Sequence, residues 1–187
     1  MGQRLLQQIQ KEKVKKIHAV ILILTLNSSL YGAAPAWFSK LKQIELLKTT
    51  RQNVEELLGR PKITDAYESR LGQVVEYKLK AGELTVLYSL GRCSKNSEQE
   101  YDVEKNVIID LEMNLTKAVS ISTLGLDLND FNKTEIRDLR GVFDYRNEDS
   151  GEHYLMNEFY KDGTQKIQKI EFFPSKSQEK LKCQSSE

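Results

Sequence analysis

The stretch GQVVEYKLKAGELTVLYSLGRC, Gly72 to Cys93, decides the fold class. Val75, Tyr77 and Leu79 alternate with charged or polar neighbours. After Ala81-Gly82 the alternation resumes with Leu84, Val86, Tyr88 and Leu90. Side chains two apart on a strand share a face, so each run buries one side and wets the other. A short glycine-containing connection between two such runs predicts a β-hairpin with one buried face. Downstream, NVIIDLEM (Asn106 to Met113) reads as a third strand, beyond the polar loop SKNSEQEYD.

Immediately upstream, TTRQNVEELLGRP (Thr49 to Pro61) reads as one short helix with a start, an apolar face and a stop. The Thr50 hydroxyl is placed to cap the free amides of the first turn. Val54, Leu57 and Leu58 fall on one face at i, i+3 and i+4. Gly59 can take the left-handed conformation that ends a helix, and Pro61 prevents continuation. So short a helix is not stable alone in water and must lie on an apolar surface. Before it, WFSKLKQIELLK carries Trp37, Phe38, Leu41, Ile44 and Leu47 near helical spacing, which fits a helix or an irregular entry segment.

The second half repeats the sheet content. Strands are expected near Val142–Arg146, His153–Tyr160 and Lys166–Phe173, joined by the turns NEDSG and KDG. The segment from Leu115 to Asp138 reads mostly as loop, and SKSQEKLKC at the end as a helical turn. Together these give an α+β domain over residues 37–187, with short N-terminal helices packed on antiparallel sheet. The sequence hints at two similar β-rich halves without deciding the point.

Residues 1–36 have a different composition. A basic stretch (Arg4, Lys11, Lys13, Lys15, Lys16 against Glu12) precedes an apolar run from Ala19 to Leu26 and the small residues Ala34-Pro35-Ala36. That order is a secretory signal peptide with cleavage before Trp37, and the run is short of the roughly 20 residues of a spanning helix. The alternative is an uncleaved N-terminal anchor. Removing five basic residues and one acidic residue turns the net charge of +1 into −3 for the remainder. Nucleic acid is disfavoured as a partner, since binding it needs a clustered positive field.

Export gives the two cysteines their meaning. Cys93 and Cys183 are the only pair, and outside the reducing cytoplasm they are expected to form a disulfide. The closed loop of about 90 residues would stabilise the fold by at most ~4–5 kcal/mol in the chain-entropy model.

TTRQNVEELLGRP, the strand-rich stretch ending LYSLGRC and the terminal IEFFPSKSQEKLKC together resemble a group of small exported bacterial proteins of unassigned function. Their pattern is S/T-T-R-x-D-V-E-x-L-L-G-x-P, a mid-chain cysteine and a C-terminal P-S…L-R-C. Asn53 stands where the group tends to have Asp, and Lys182 where it tends to have Arg. More distantly, the helix motif is similar to that of SmpA/BamE outer-membrane assembly lipoproteins and β-lactamase-inhibitor-like domains. That resemblance implies a helical layer on an antiparallel sheet and action through binding. No lipid-attachment cysteine stands at the cleavage point, so a standard lipoprotein is not implied.

Chemistry finds little to work with. His153 is the only histidine outside the leader, since His18 lies within it; no nucleophile motif accompanies it, and it reads as a surface or strand-edge residue. No zinc spacing occurs. DLNDFNKTEIRD departs from a calcium loop at Phe131 and Asn132, and NEDSGE reads as a solvated turn. The tyrosines 67, 77, 88, 101, 145, 154 and 160 suit core-edge packing, with a partner-binding face as the alternative. Asn114-Leu115-Thr116 and Asn132-Lys133-Thr134 are glycosylation sequons.

The expectation is therefore an exported (periplasmic or secreted) non-catalytic binding or envelope-associated protein. It needs no cofactor or metal, and its partner is a protein or cell-envelope component. It touches a membrane only through its leader before cleavage. The alternative is a small envelope hydrolase using carboxylates, with or without a metal.

Overall fold

The structure, a computed structural model, describes residues 34–61, 67–68, 71–93, 100–137, 139–157 and 165–183. The leader call (1–36) therefore lies almost wholly outside the described residues, as do the KDG turn and Tyr160. The unit Ala34–Glu187 contains the core cluster and the disulfide of the described residues. Among the described residues no helix is long and apolar enough to cross a membrane.

Among the described residues three short helices, α1 (Ala36–Leu41), α2 (Arg51–Leu58) and α3 (Ile121–Leu124), accompany eight strands. These are β1 (Tyr67–Glu68), β2 (Gln73–Leu79), β3 (Gly82–Tyr88), β4 (Ile108–Ser120), β5 (Asn132–Glu135), β6 (Val142–Asn147), β7 (Glu152–Asn157) and β8 (Lys166–Phe172). A 3-10 helix, Lys176–Leu181, follows β8. The fold is mixed α and β, with more sheet than helix, closed by one disulfide.

All eight strands form one antiparallel sheet in the order β1-β2-β3-β4-β8-β7-β6-β5. Each half is a four-stranded meander, and the two meanders join through their last strands, β4 and β8. Directly opposed residues of antiparallel strands share a face, so the alternation seen in the sequence becomes continuous rows. One row runs Tyr77–Leu84–Met113–Ile170–Tyr154–Tyr145 across six strands, every member buried. On this face lie Phe38 and Leu41 of α1, Val54 of α2 and Leu124 of α3 in one core cluster.

Local chemistry explains how α2 is seated. The Asn53 amide donates to Thr50 Oγ1 at 3.4 Å and the Thr50 amide to Asn53 Oδ1 at 3.2 Å, a reciprocal capping box. The Arg51 guanidinium donates to Gln73 Oε1 at 3.2 Å, tying the helix start to β2. Val54 is fully buried, while Leu57 and Leu58 are half-buried at the margin of the core. Gly59 has φ 90° and ψ 170°, so the chain leaves with a positive φ in an extended turn instead of the left-handed helical conformation. From α1, Lys42 reaches over the core face to pair with Glu152, whose Oε2 also accepts from the Tyr154 hydroxyl at 2.7 Å.

The loop expected over Leu115–Asp138 is corrected by the structure. β4 runs on to Ser120, the Ser120 hydroxyl caps α3 and Asn132–Glu135 forms edge strand β5. The reason is tertiary: β4 leaves β8 after Asn114 and rejoins it at Val119, so its hydrophobic period is broken by a bulge. The strand expected from Asn106 begins at Ile108 instead, Asn106 itself having φ 66°.

Candidate functional site

The opposite face of the sheet carries charge. Thr85, Glu112, Glu171, His153 and Arg146 are successive cross-strand neighbours on β3, β4, β8, β7 and β6. A neighbouring row holds Asn114, Lys169, Leu155 and Asp144. Five interior strands thus bring together side chains that lie up to 86 residues apart in sequence, from Thr85 to Glu171.

His153 is the centre of this network, which corrects its reading as a surface or strand-edge residue. β7 is an interior strand and His153 is only 9% exposed. Nδ1 lies 2.6 Å from Glu171 Oε2, and Nε2 lies 2.5 Å from Asp144 Oδ1. The second contact is close but off hydrogen-bonding alignment, since neither Nε2 nor Asp144 Oδ1 is in line with a partner. Because the carboxylates sit at opposite nitrogens, the three groups do not converge on one point. Among the described residues no group of three or more His, Cys, Asp or Glu is placed to hold a metal ion.

The remaining charges extend the network. Lys169 Nζ lies 2.7 Å from Glu112 Oε2 and 3.8 Å from Glu171 Oε2. The bond from His153 is the main cause that holds the Glu171 carboxyl below its ordinary range, with Lys169 adding to it. Asp110 behaves oppositely. It is half-buried, and burial pushes its carboxyl up to about 7, helped by repulsion from Glu171 and Glu112. Asp110 lies two residues from Glu112 and opposes Leu87 in the same register, so strand alternation puts it on this face; the register breaks only beyond it, where Ile108 opposes Tyr88.

A groove of about 460 Å³ opens here, lined by Leu87, Tyr101, Asp110, Arg146, Glu171, Glu179 of the 3-10 helix and Lys182 just beyond it. The C-terminal segment forms one wall. The Asp102 amide donates to the Leu181 carbonyl at 2.7 Å and the Cys183 amide to the Glu100 carbonyl at 2.9 Å. The Cys93–Cys183 disulfide, with its Cα atoms 5.7 Å apart, holds that wall in place.

Other sequence candidates fall elsewhere. Tyr77, Tyr88, Tyr145 and Tyr154 are buried away from the groove, which removes them as a binding face, while Tyr101 is buried in the groove wall. Thr50, Val54, Leu57, Leu58, Gly59 and Pro61 belong to α2 and its exit, and the groove is lined by none of them. In NEDSGE, Asn147 Oδ1 accepts from the amides of Asp149 and Ser150, both at 3.0 Å, an Asx-type turn. Asp127 does the same for Asn129 at 3.0 Å.

The pH dependence of Asp110 can be measured. Its folded value lies above its ordinary 3.8, so the protonated form favours the fold, and that contribution is lost as pH rises from about 4 to about 7. Asp110→Asn, which cannot ionise, is expected to melt close to wild type at pH 4. At pH 8 it should be more stable than wild type by about 1–2 kcal/mol, the full linkage value being discounted for the open groove. Urea titrations at the two pH values check this, and equal differences at both would remove the assignment.

No protein-family model matches the chain. No curated protein matches it in sequence. Among solved structures it is similar to a DUF4309 family protein (YjgB) from Bacillus subtilis subsp. subtilis str. 168, at 14% identity over 71% of this chain and 82% of that chain, with a TM-score of 0.39.

Proposed function

We propose that the chain is an exported, disulfide-closed binding domain that engages a protein or envelope component through the open face of its sheet and the adjoining groove. One observation carries this reading. The sheet is covered by helices on one face, while the other presents ordered, mutually fixed charges beside a groove walled by a disulfide-held segment. Preorganised polar groups on a rigid sheet suit recognition, because little ordering cost remains at binding. The leader-like segment and the oxidised cysteine pair support export. The resemblance to small exported proteins and to SmpA/BamE-like domains supports the same reading at the level of fold analogy.

The two meanders fit a degenerate duplication. Gly82, opening β3, and Gly151, just before β7, sit in corresponding turns. A methyl group on Gly82 would lie 2.0 Å from the Asn114 carbonyl oxygen, and one on Gly151 2.1 Å from that of Phe173. In both halves the third strand starts where only glycine lets the fourth strand come so close.

A second reading, a carboxylate hydrolase, is favoured by one feature: Asp110 and Glu171 share the groove and are shifted in opposite directions, the pattern of an acid paired with an ionised carboxylate. Affinity capture from the native envelope, with wild type and with Arg146→Glu/Lys182→Glu as baits, separates the two. The binding reading expects one partner held by wild type and lost by the variant. Retention by both baits refutes the groove as the contact. Turnover of sugar, peptide or ester substrates, abolished by Asp110→Asn, establishes the hydrolase instead.

A further inference from the structure

A second surface, away from the groove, has a different chemistry. Trp37, the β2–β3 turn at Lys80-Ala81 and the bulged part of β4 with Leu115, Lys117 and Val119 surround a shallow hollow of about 470 Å³. Among the described residues none that lines it is acidic. Trp37 packs edge-to-face on Phe38, with ring centroids 5.7 Å apart, and stays half-exposed at the margin of the core. Lys80 and Lys117 are exposed, and neither has an acidic partner among the described residues.

The bulge builds this surface. Asn114 opposes Lys169 and Val119 opposes Ile167, so five steps on β4 match two on β8 and three residues are pushed outward. The Thr116 amide turns away from β8 and donates to the Ala81 carbonyl at 2.9 Å, fastening the bulge to the hairpin turn. A bulge that re-aims side chains at a sheet rim is a device for presenting them.

We propose that this rim docks on an anionic membrane surface. An indole at the margin of an aliphatic patch suits the interfacial layer, where its apolar body and polar N–H are both accommodated. Two unpaired lysines beside it suit the phosphate layer, their stems lying along apolar surface and their ammonium groups reaching outward. Charge complementarity is local. Residues 37–187 carry a net charge of −3, so the domain as a whole is not drawn to anionic lipid, and attraction has to come from this patch. Both fates of the leader favour it. Cleavage before Trp37 adds an α-ammonium group to the patch, and retention keeps Trp37 eleven residues from the apolar run ending at Leu26.

Trp37 is the single tryptophan of the chain, so its fluorescence reports on this surface alone. The chain from Ala34 to Glu187 is titrated with vesicles of phosphatidylcholine, with and without phosphatidylglycerol. The expected result is a blue shift with phosphatidylglycerol vesicles that weakens as salt rises. In Lys80→Glu/Lys117→Glu the partition coefficient falls at least about 25-fold, near fivefold for each lysine lost. Arg137→Glu/Arg140→Glu, at an exposed basic pair outside the patch, leaves it unchanged. Four results would each overturn the proposal: no shift, an equal shift with neutral vesicles, equal loss in the Arg137/Arg140 control, or the same shift from soluble glycerol phosphate. A protein partner that occupies the rim and blocks vesicle binding by wild type would overturn it too.

Discussion

Cys93→Ser is expected to cost the domain about 3 kcal/mol and to lower its melting midpoint by about 6–12 °C. The bridge spans 90 residues, so it removes a large share of the freedom of the unfolded chain, for which the chain-entropy ceiling is about 4.5 kcal/mol. The folded state also depends on it locally. The 3-10 helix buries no side chain fully, and its anchors include two backbone bonds to the 100–102 segment, the Lys176 amide on the Glu148 carbonyl at 2.9 Å, a Gln178 bond to the Leu46 carbonyl at 2.7 Å, and half-buried Leu181. Such a segment detaches readily once its covalent tie is gone. Wild type in reductant should therefore melt with the variant, and hydrogen exchange should show protection lost first at residues 176–183. Melting within 1–2 °C of oxidised wild type would mean that the bridge constrains nothing.

Val54→Asp is expected to cost more than about 4 kcal/mol, enough to leave the chain largely unfolded in mild denaturant. Val54 is fully buried between α2 and the core face of the sheet, where a carboxylate must either desolvate or expel the helix. Leu57→Asp is the internal comparison. Leu57 is only half-buried, so its new carboxylate can turn to water and the cost should be clearly smaller. Urea unfolding of the two variants tests the docking geometry. Equal losses would mean that the helix face is turned some 60–100° from its position here, which a period of about 3.6 residues allows.

The core face was readable from residue order because a strand's period of two is local. Val75, Tyr77, Leu84, Val86 and Tyr88 declare their side of the sheet without reference to any partner. The punctuation of α2 was equally local, since Thr50 and Asn53 cap each other across three residues. Leu115–Asp138 was not readable, because its strand character depends on a bulge set by β8 and by the Ala81 carbonyl. His153 shows the same limit at the candidate site. Flanked by Glu152 and Tyr154 it reads as an isolated polar residue, and what gives it a role is the β6–β7–β8 register that places Asp144 and Glu171 at its two nitrogens. The alternation of charge at Asp110, Glu112, Lys169 and Glu171 is the trace the network leaves in the sequence, two polar faces of strands that were read only for their apolar sides.

Residue order by itself determined the helix ends, the strands with clean alternation, the leader-like segment and the two sulfurs available to pair. All of these are set by interactions within one turn or one strand, or by composition. The tertiary structure decided which strands are neighbours, and through them the row of charges, the groove and the rim around Trp37. Register between strands distant in the chain is a property of packed faces and turn geometry together, and a slip of one residue would turn every one of those charges into the core.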